Sequence, residues 1–356
     1  MIRFYPPTFT LEEQRALLKP CEETVALRDS RIENLEESFA DLCGVKHAVA
    51  VSSGTAALQV ALIAHNIMDG DEVITPSFTS IATINAILSV GAHPVFVDIN
   101  ENTYHIRPDL IKKCISSRTR VILTVHLFGQ MCEMDVIQDI ADRQGLTLIE
   151  DACQASGAKY YGKMAGSVGT GAFSLSPESI VNSIGGGVIT TNDEDVAKRC
   201  KIIRNQGLDS SGKLVMLGLD FRVKEHQAAI ASEKLGKLND NIERRRANAR
   251  FLSSNIKSVI IPVEVEGRLH TWNYYTVRVT TPLDRNAAVR KLHDAGVTTD
   301  MVYWKPAHYF SHVQNIVGEI YLPVTEKIAR QVFSLPVHEN LSTEELERIV
   351  TEVNKL

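Results

Sequence analysis

The chain has 356 residues, 44% of them hydrophobic and 23% charged, and a formal net charge of −5. That length is enough for a large buried core, with one large unit and a smaller one beside it. The charge balance excludes the basic footprint of a nucleic-acid binder, and no apolar run approaches the ~20 residues that span a bilayer.

At the start, Met1-Ile2-Arg3-Phe4-Tyr5-Pro6-Pro7 lacks the apolar stretch of a signal peptide, so a soluble cytoplasmic protein is expected. Residues 1–45 read as an entry arm and a helix, since the apolar residues between Ile32 and Ala40 recur at helical spacing. His47-Ala48-Val49-Ala50-Val51 is a short apolar strand. The small-residue turn Ser52-Ser53-Gly54-Thr55 follows, and then a helix from Ala56 to Ala64. Strands at Glu72–Thr75, Pro94–Asp98, Val121–His126 and Thr147–Asp151 alternate with helices at Ile81–Val90, Arg107–Ser116 and Asp135–Gln144. Alternation of this kind, with nearly continuous apolar strands, predicts an α/β fold whose mostly parallel sheet is covered on both faces. Two more strands, Gly171–Leu175 and Val188–Thr191, flank a loop rich in serine and glycine. One long helix is expected over about Glu225–Leu252. The remainder reads as a smaller α+β unit, with a strand at Tyr274–Thr280 and helices at Arg285–Ala295 and Glu344–Val353. We therefore expect a large unit of residues 1–240, which includes the N-terminal arm, and a small unit of residues 241–356. Cys21, Cys43, Cys114, Cys132, Cys153 and Cys200 are scattered without a CxxC pair, so reduced thiols are expected rather than a metal site or a disulfide scaffold.

Two short segments carry chemistry. In Ser53-Gly54-Thr55-Ala56 a strand meets a helix N-terminus, where glycine admits an anion close to the backbone and the helix supplies donors and partial positive charge. The same residues also make an ordinary N-cap. In Ile149-Glu150-Asp151-Ala152-Cys153-Gln154 an acid stands at the C-terminal end of an apolar strand, where ligands of open α/β sheets sit. A buried aspartate there calls for a cation, whereas a solvated loop acid does not.

Further segments join these in a fixed order. They are Thr75-Pro76-Ser77-Phe78-Thr79-Ser80-Ile81-Ala82-Thr83, Val125-His126-Leu127-Phe128-Gly129-Gln130 and Gly171-Ala172-Phe173-Ser174. Arg204-Asn205-Gln206-Gly207, Phe221-Arg222, Gln227-Ala228-Ala229-Ile230 and Ser334-Leu335-Pro336-Val337-His338 continue the series. From about residue 10 to the C-terminus the ordered set resembles the DegT/DnrJ/StrS-type sugar aminotransferases, which are fold-type-I enzymes dependent on pyridoxal phosphate (PLP). The resemblance implies that Gly54, Thr55 and Ser174 hold the cofactor phosphate and that Phe78 stacks on the pyridine ring. It also implies that Asp151 faces the pyridinium nitrogen, that Gln154 sits near the ring hydroxyl, and that the cofactor site lies at the interface of a homodimer.

The chain departs from that family at the chemical centre. The family loop carries a lysine followed a few residues later by Glu-Gly-Gly. Registering Gly186-Gly187 on the paired glycines puts Ser179 at the lysine position, Gly185 at the glutamate, and Ser176 where His or Tyr is usual. Serine forms no Schiff base and is too weak a base to shuttle the proton unaided, so ordinary transamination through Ser179 is excluded. Lys159 and Lys163 lie in a preceding loop and read as surface charges. Asp220 replaces an asparagine that reaches from the partner subunit to the phosphate, and so exchanges a donor for an acceptor.

Three readings follow. In the first, PLP or pyridoxamine phosphate (PMP) binds without a covalent bond, and PMP-dependent, dehydratase-like chemistry acts on a nucleotide-linked keto-sugar. His226 and His308 are then the candidate bases. In the second, the chain is a non-catalytic binding, sensing or scaffolding descendant. In the third, the serine is an engineered replacement in an ordinary aminotransferase. Nucleotide sugars are the expected ligands, with no metal, membrane or nucleic acid involved.

Overall fold

The apolar segments assemble around one seven-stranded sheet. The computed structural model describes residues 1–6, 9–22, 28–280 and 284–356. Strands are β1 (His47–Val51), β2 (Glu72–Pro76), β3 (His93–Val97), β4 (Thr119–Val125), β5 (Thr147–Asp151), β6 (Lys159–Tyr160), β7 (Lys163–Met164), β8 (Thr170–Ser174), β9 (Gly187–Thr191), β10 (Arg268–Leu269), β11 (Tyr275–Arg278) and β12 (Val332–Leu335). Helices of the first two thirds are α1 (Leu11–Glu22), α2 (Arg28–Cys43), α3 (Gly54–Ala64), α4 (Ile81–Ser89), α5 (Pro108–Ile111), α6 (Met134–Gln144), α7 (Glu194–Arg204) and α8 (Glu225–Gly236). The rest are α9 (Leu238–Asn255), α10 (Arg285–Asp294), α11 (Ser311–Val317), α12 (Pro323–Ala329) and α13 (Thr343–Val353).

The order in the sheet is β1-β9-β8-β5-β4-β2-β3. Strands β3, β2, β4, β5 and β8 pair in parallel, and β9 runs antiparallel to both of its neighbours. Period-two alternation sends successive residues to opposite faces. Val49 and Val51 thus join a core with α3, α4 and α7, while Ala48 and Ala50 join a second core with α2, α6 and α8. Burial on both faces is why these strands are mostly apolar.

A third apolar cluster gathers α9, α10, α13, β11 and β12. Ile2 belongs to it, tied by Ile2 N to Gly296 O at 2.8 Å and by Thr298 N to Ile2 O at 3.1 Å. Ala307, Val313, Leu322 and Ile328, by contrast, pack into the first core. The helix expected over Glu225–Leu252 is two helices, with a turn at Lys237 just after Gly236. The helix expected over Arg107–Ser116 shrinks to α5 and a 3₁₀ turn at Lys112–Cys114. Among the described residues no helix is long and apolar enough to cross a membrane.

Candidate functional site: a cavity at the strand ends

The parallel strands β2, β4, β5 and β8 end on one side of the sheet, where they meet the N-terminus of α3. A cavity of about 350 Å³ lies there. Its floor is the first turn of α3. Ser53 caps that helix by accepting from Ala56 N at 3.0 Å, so the N-cap reading holds as well. Gly54 is required by close approach: a Cβ at this position would sit 2.8 Å from Ser174 Cβ and 2.9 Å from Cys153 Sγ. Ser53, Gly54, Thr55 and Ser174 all line the cavity, so backbone, hydroxyls and helix N-terminus converge on one point.

Asp151, at the end of β5, faces the same space and is 5% exposed. Its Oδ2 accepts from Thr83 Oγ1 at 2.7 Å, and its Oδ1 accepts from Cys153 N at 3.2 Å. Burial raises its pKa above the ordinary carboxylate value, against the lowering effect of those two partners. Among the described residues no lysine or arginine lines the cavity. A buried carboxylate that meets only neutral donors fits a cationic N–H brought by a ligand.

Asp151 is positioned by its neighbour in sequence. Glu150 is fully buried and accepts from His126 Nε2 at 2.8 Å, Gly166 N at 3.0 Å, and Val168 N and Gly169 N at 2.8 Å each. Burial pushes its pKa up, but hydrogen bonds from His126 and the glycine amides outweigh that and hold it low. Cys132 N–H donates to His126 Nδ1 at 3.3 Å, which leaves the Nε2 proton for Glu150.

Gln154 is spoken for at both ends: its Oε1 accepts from Phe128 N at 2.7 Å, and its Nε2 donates to Tyr303 OH at 2.5 Å. The Tyr303 ring stacks on Phe128 at 6.1 Å between centroids. Ser179, 5% exposed, lies 3.3 Å from Ser176 Oγ and donates to the Cys153 carbonyl at 3.5 Å. Burial drives the Cys153 thiol pKa well above its usual value, so the thiol stays protonated.

This architecture has close counterparts. The sequence matches the DegT/DnrJ/EryC1/StrS aminotransferase family over residues 9–354. The chain belongs to that family. Among its relatives is the dTDP-3-amino-3,6-dideoxy-alpha-D-galactopyranose transaminase of Aneurinibacillus thermoaerophilus, 38% identical over 97% of this chain and 95% of the relative. Another is a pleiotropic regulatory protein of Geobacillus stearothermophilus, 37% identical over 98% of this chain and 97% of the relative. Among solved structures, DesV of S. venezuelae in complex with a ketimine intermediate superposes with a TM-score of 0.90 at 33% identity, covering 97% of this chain and 94% of DesV. NtdA of Bacillus subtilis, bound to PMP, superposes at 0.88 with 30% identity, over 99% and 85% of the two chains.

The family is PLP-dependent, and the cavity has the parts such a cofactor needs: an anion cradle at α3 and a buried acid whose hydrogen-bond donors are both neutral. Gly54, Thr55, Asp151, Gln154, Ser174 and Ser179 are brought together around it. Phe78 is not. Its ring is fully buried among Tyr104, Phe128 and Tyr303, at centroid distances of 6.0, 6.4 and 5.7 Å, and Thr79 and Ser80 line the cavity in its place. The two candidate bases also stand away from the cavity. His308 Nδ1 lies 2.6 Å from Ser77 Oγ, its Nε2 lies 3.4 Å from Glu326, and burial lowers its pKa. His226 is half-buried on α8. Asp220 is exposed and pairs with Arg222 at 2.8 Å. Lys159 and Lys163 border a separate depression beside Asp41 and Cys43. Sequence reasoning did not single out Thr83, Glu178, Tyr274 or Tyr303. Thr83 lay within a motif already in view, but the two tyrosines come from the last third of the chain without a local signal.

Proposed function

We propose that this chain is a sugar-aminotransferase homologue that binds PLP or PMP without a covalent bond, together with a nucleotide-linked sugar, and does not transaminate through a chain-borne Schiff base. The observation that carries this reading is the absence of any lysine among the described residues lining the cavity, where Ser179 is instead hydrogen-bonded to Ser176 and to the Cys153 carbonyl. A serine hydroxyl holds no aldehyde as an imine. When bound, PMP supplies the primary amine that the chain lacks. The chain's own residues bind and orient. Gly54, Thr55 and Ser174 take the phosphate, Asp151 takes the ring N–H, and Thr83 fixes the rotamer of Asp151. The sugar nucleotide is inferred from relatives such as the dTDP-sugar transaminase. A homodimer is part of this reading, and the exposed Leu214 and Leu217 that precede Asp220 are suited to an interface.

The non-catalytic form of this reading is favoured over the dehydratase-like form. His226 and His308 lie outside the cavity, and His126, which does line it, has both ring nitrogens engaged, by Glu150 and by Cys132 N, so it is not free to replace the missing base. A relative of comparable identity is a regulatory protein rather than a named transaminase. The test is spectroscopic. The wild-type chain mixed with PLP should give no borohydride-stable adduct in the cavity, whereas Ser179→Lys should give one that maps to position 179. A stable adduct on a cavity residue of the wild type would overturn the proposal.

A further inference from the structure

We infer that this site selects the amine form of the cofactor, PMP, over the aldehyde and alcohol forms, and that Glu178 is the selecting residue. The inference rests on the cofactor reading above and adds a specificity to it. The groups around the lysine's former place are Ser176, Ser179, the Cys153 carbonyl and the Glu178 side chain. The carbonyl and the carboxylate only accept hydrogen bonds, and the two hydroxyls can accept. Glu178 lines the cavity, and among the described residues it has neither an ion pair nor a side-chain hydrogen bond. Asp151 adds a second carboxylate; among the described residues no lysine or arginine lines the cavity, and His126, which does, is hydrogen-bonded to Glu150.

That chemistry is the inverse of what a lysine would present. A lysine brings a donor and a positive charge, and suits an aldehyde. This cluster brings acceptors and a negative charge, and suits an ammonium. The aminomethyl group of PMP is protonated near neutral pH and donates hydrogen bonds. The PLP aldehyde is uncharged and can only accept. The hydroxymethyl group of pyridoxine 5′-phosphate is similar in shape to aminomethyl but carries no charge. It is the cleaner comparator, since it also condenses with no surface lysine. One charge-assisted hydrogen bond separates the amine from its neutral isostere, so the preference should be about tenfold in Kd.

The experiment titrates the full chain with PMP, PLP and pyridoxine 5′-phosphate by calorimetry at pH 7, and repeats the series with Glu178→Gln. Glu178 is exposed and unpaired, so this substitution leaves the packing of the loop intact. PMP is expected to bind about tenfold tighter than pyridoxine 5′-phosphate to the wild type, and the ratio should fall to about one in the variant. Equal affinities for the three ligands, or PLP as the tightest, would overturn the inference while leaving the cofactor reading in place. A preference that survives Glu178→Gln would remove Glu178 as its source and overturn the inference. If none of the three binds, both the inference and the cofactor reading fail.

Discussion

Replacing Asp151 by asparagine is expected to move unliganded stability and ligand affinity in opposite directions. Asp151 is 5% exposed, and burial lifts its pKa above the ordinary 3.8. A raised folded-state pKa means that the folded chain holds this proton more tightly than the unfolded chain does. The stabilisation from that proton is fully present below about pH 3.8 and is lost as pH rises through the folded value. At pH 7 the unliganded protein therefore bears the cost of a buried charge, which asparagine removes. The hydrogen bonds survive the change. The amide oxygen accepts from Cys153 N, and the Thr83 hydroxyl turns to accept from the new NH₂ while donating to Thr79 Oγ1, 3.1 Å away. The unliganded variant should melt no lower than the parent at pH 7, with any gain fading on acidification. A ligand ring bearing a cationic N–H loses its partner. A hydrogen bond to a charged group contributes about 1.5–3 kcal/mol, so the Kd for PMP should rise about 10- to 150-fold. Scanning fluorimetry across pH and calorimetric titration measure the two effects. A variant that melts lower at pH 7 and still binds PMP as tightly as the parent would refute the reasoning.

Two other substitutions separate the cradle from its foundation. Gly54→Ala places a methyl group 2.8 Å from Ser174 Cβ and 2.9 Å from Cys153 Sγ, so about 1–3 kcal/mol of stability should go, along with the PMP-induced rise in melting temperature. An undiminished rise would count against a phosphate at α3. Glu150→Gln turns an NH₂ group toward donors that now share one carboxylate, and should cost about 3–5 kcal/mol at pH 7 in urea denaturation. The pKa of Glu150 is depressed, so its contribution is present above the ordinary 4.5 and is lost as pH falls through the folded value. The gap between parent and variant should therefore close in acid, and equal urea midpoints at pH 7 would contradict the role given to Glu150.

The sheet and the cavity floor were legible in the sequence because both are local. Strands buried on two faces are mostly apolar, and the ends of β5 and β8 and the start of α3 carry Asp151, Ser174 and Gly54 directly. Phe78 lies off the cavity because Ser77–Ser80 is a strand-to-helix turn, where a shift of one or two residues decides which side chain faces the open space. Spacing cannot resolve that choice, and the aromatic residue went to the core while Ser80 went to the cavity. The position of His308 was not legible for a different reason. Its partner Ser77 lies 231 residues earlier, and no periodicity encodes such a contact. The break at Lys237 was hidden because Gly236 interrupts a helical pattern without ending it. Tertiary packing makes the division: Ala228 and Ala231 of α8 enter the second core, while Ala249 and Leu252 of α9 enter the third.

The loop between β8 and β9, proposed to carry Ser179 at the family's lysine position, is well ordered. Leu175 N reaches Gly186 O at 2.9 Å, Ser183 N reaches Leu175 O at 2.8 Å, and Ser183 Oγ reaches Gln227 O at 2.9 Å. Gly185 adopts a φ of +118°, and a Cβ there would meet Gln227 Nε2 at 3.1 Å. That backbone favours glycine, so a side chain at position 185 would reshape the turn. The Ser176 and Ser179 hydroxyls lie 3.3 Å apart on the cavity wall. A loop decaying without function would have no reason to keep this wiring, nor would β5 have reason to hold a buried acid in a neutral setting. On the proposed reading, the departures change the charge and donor character of one wall and leave the cradle and the acid standing. That combination is what a site for a non-covalently held ligand requires.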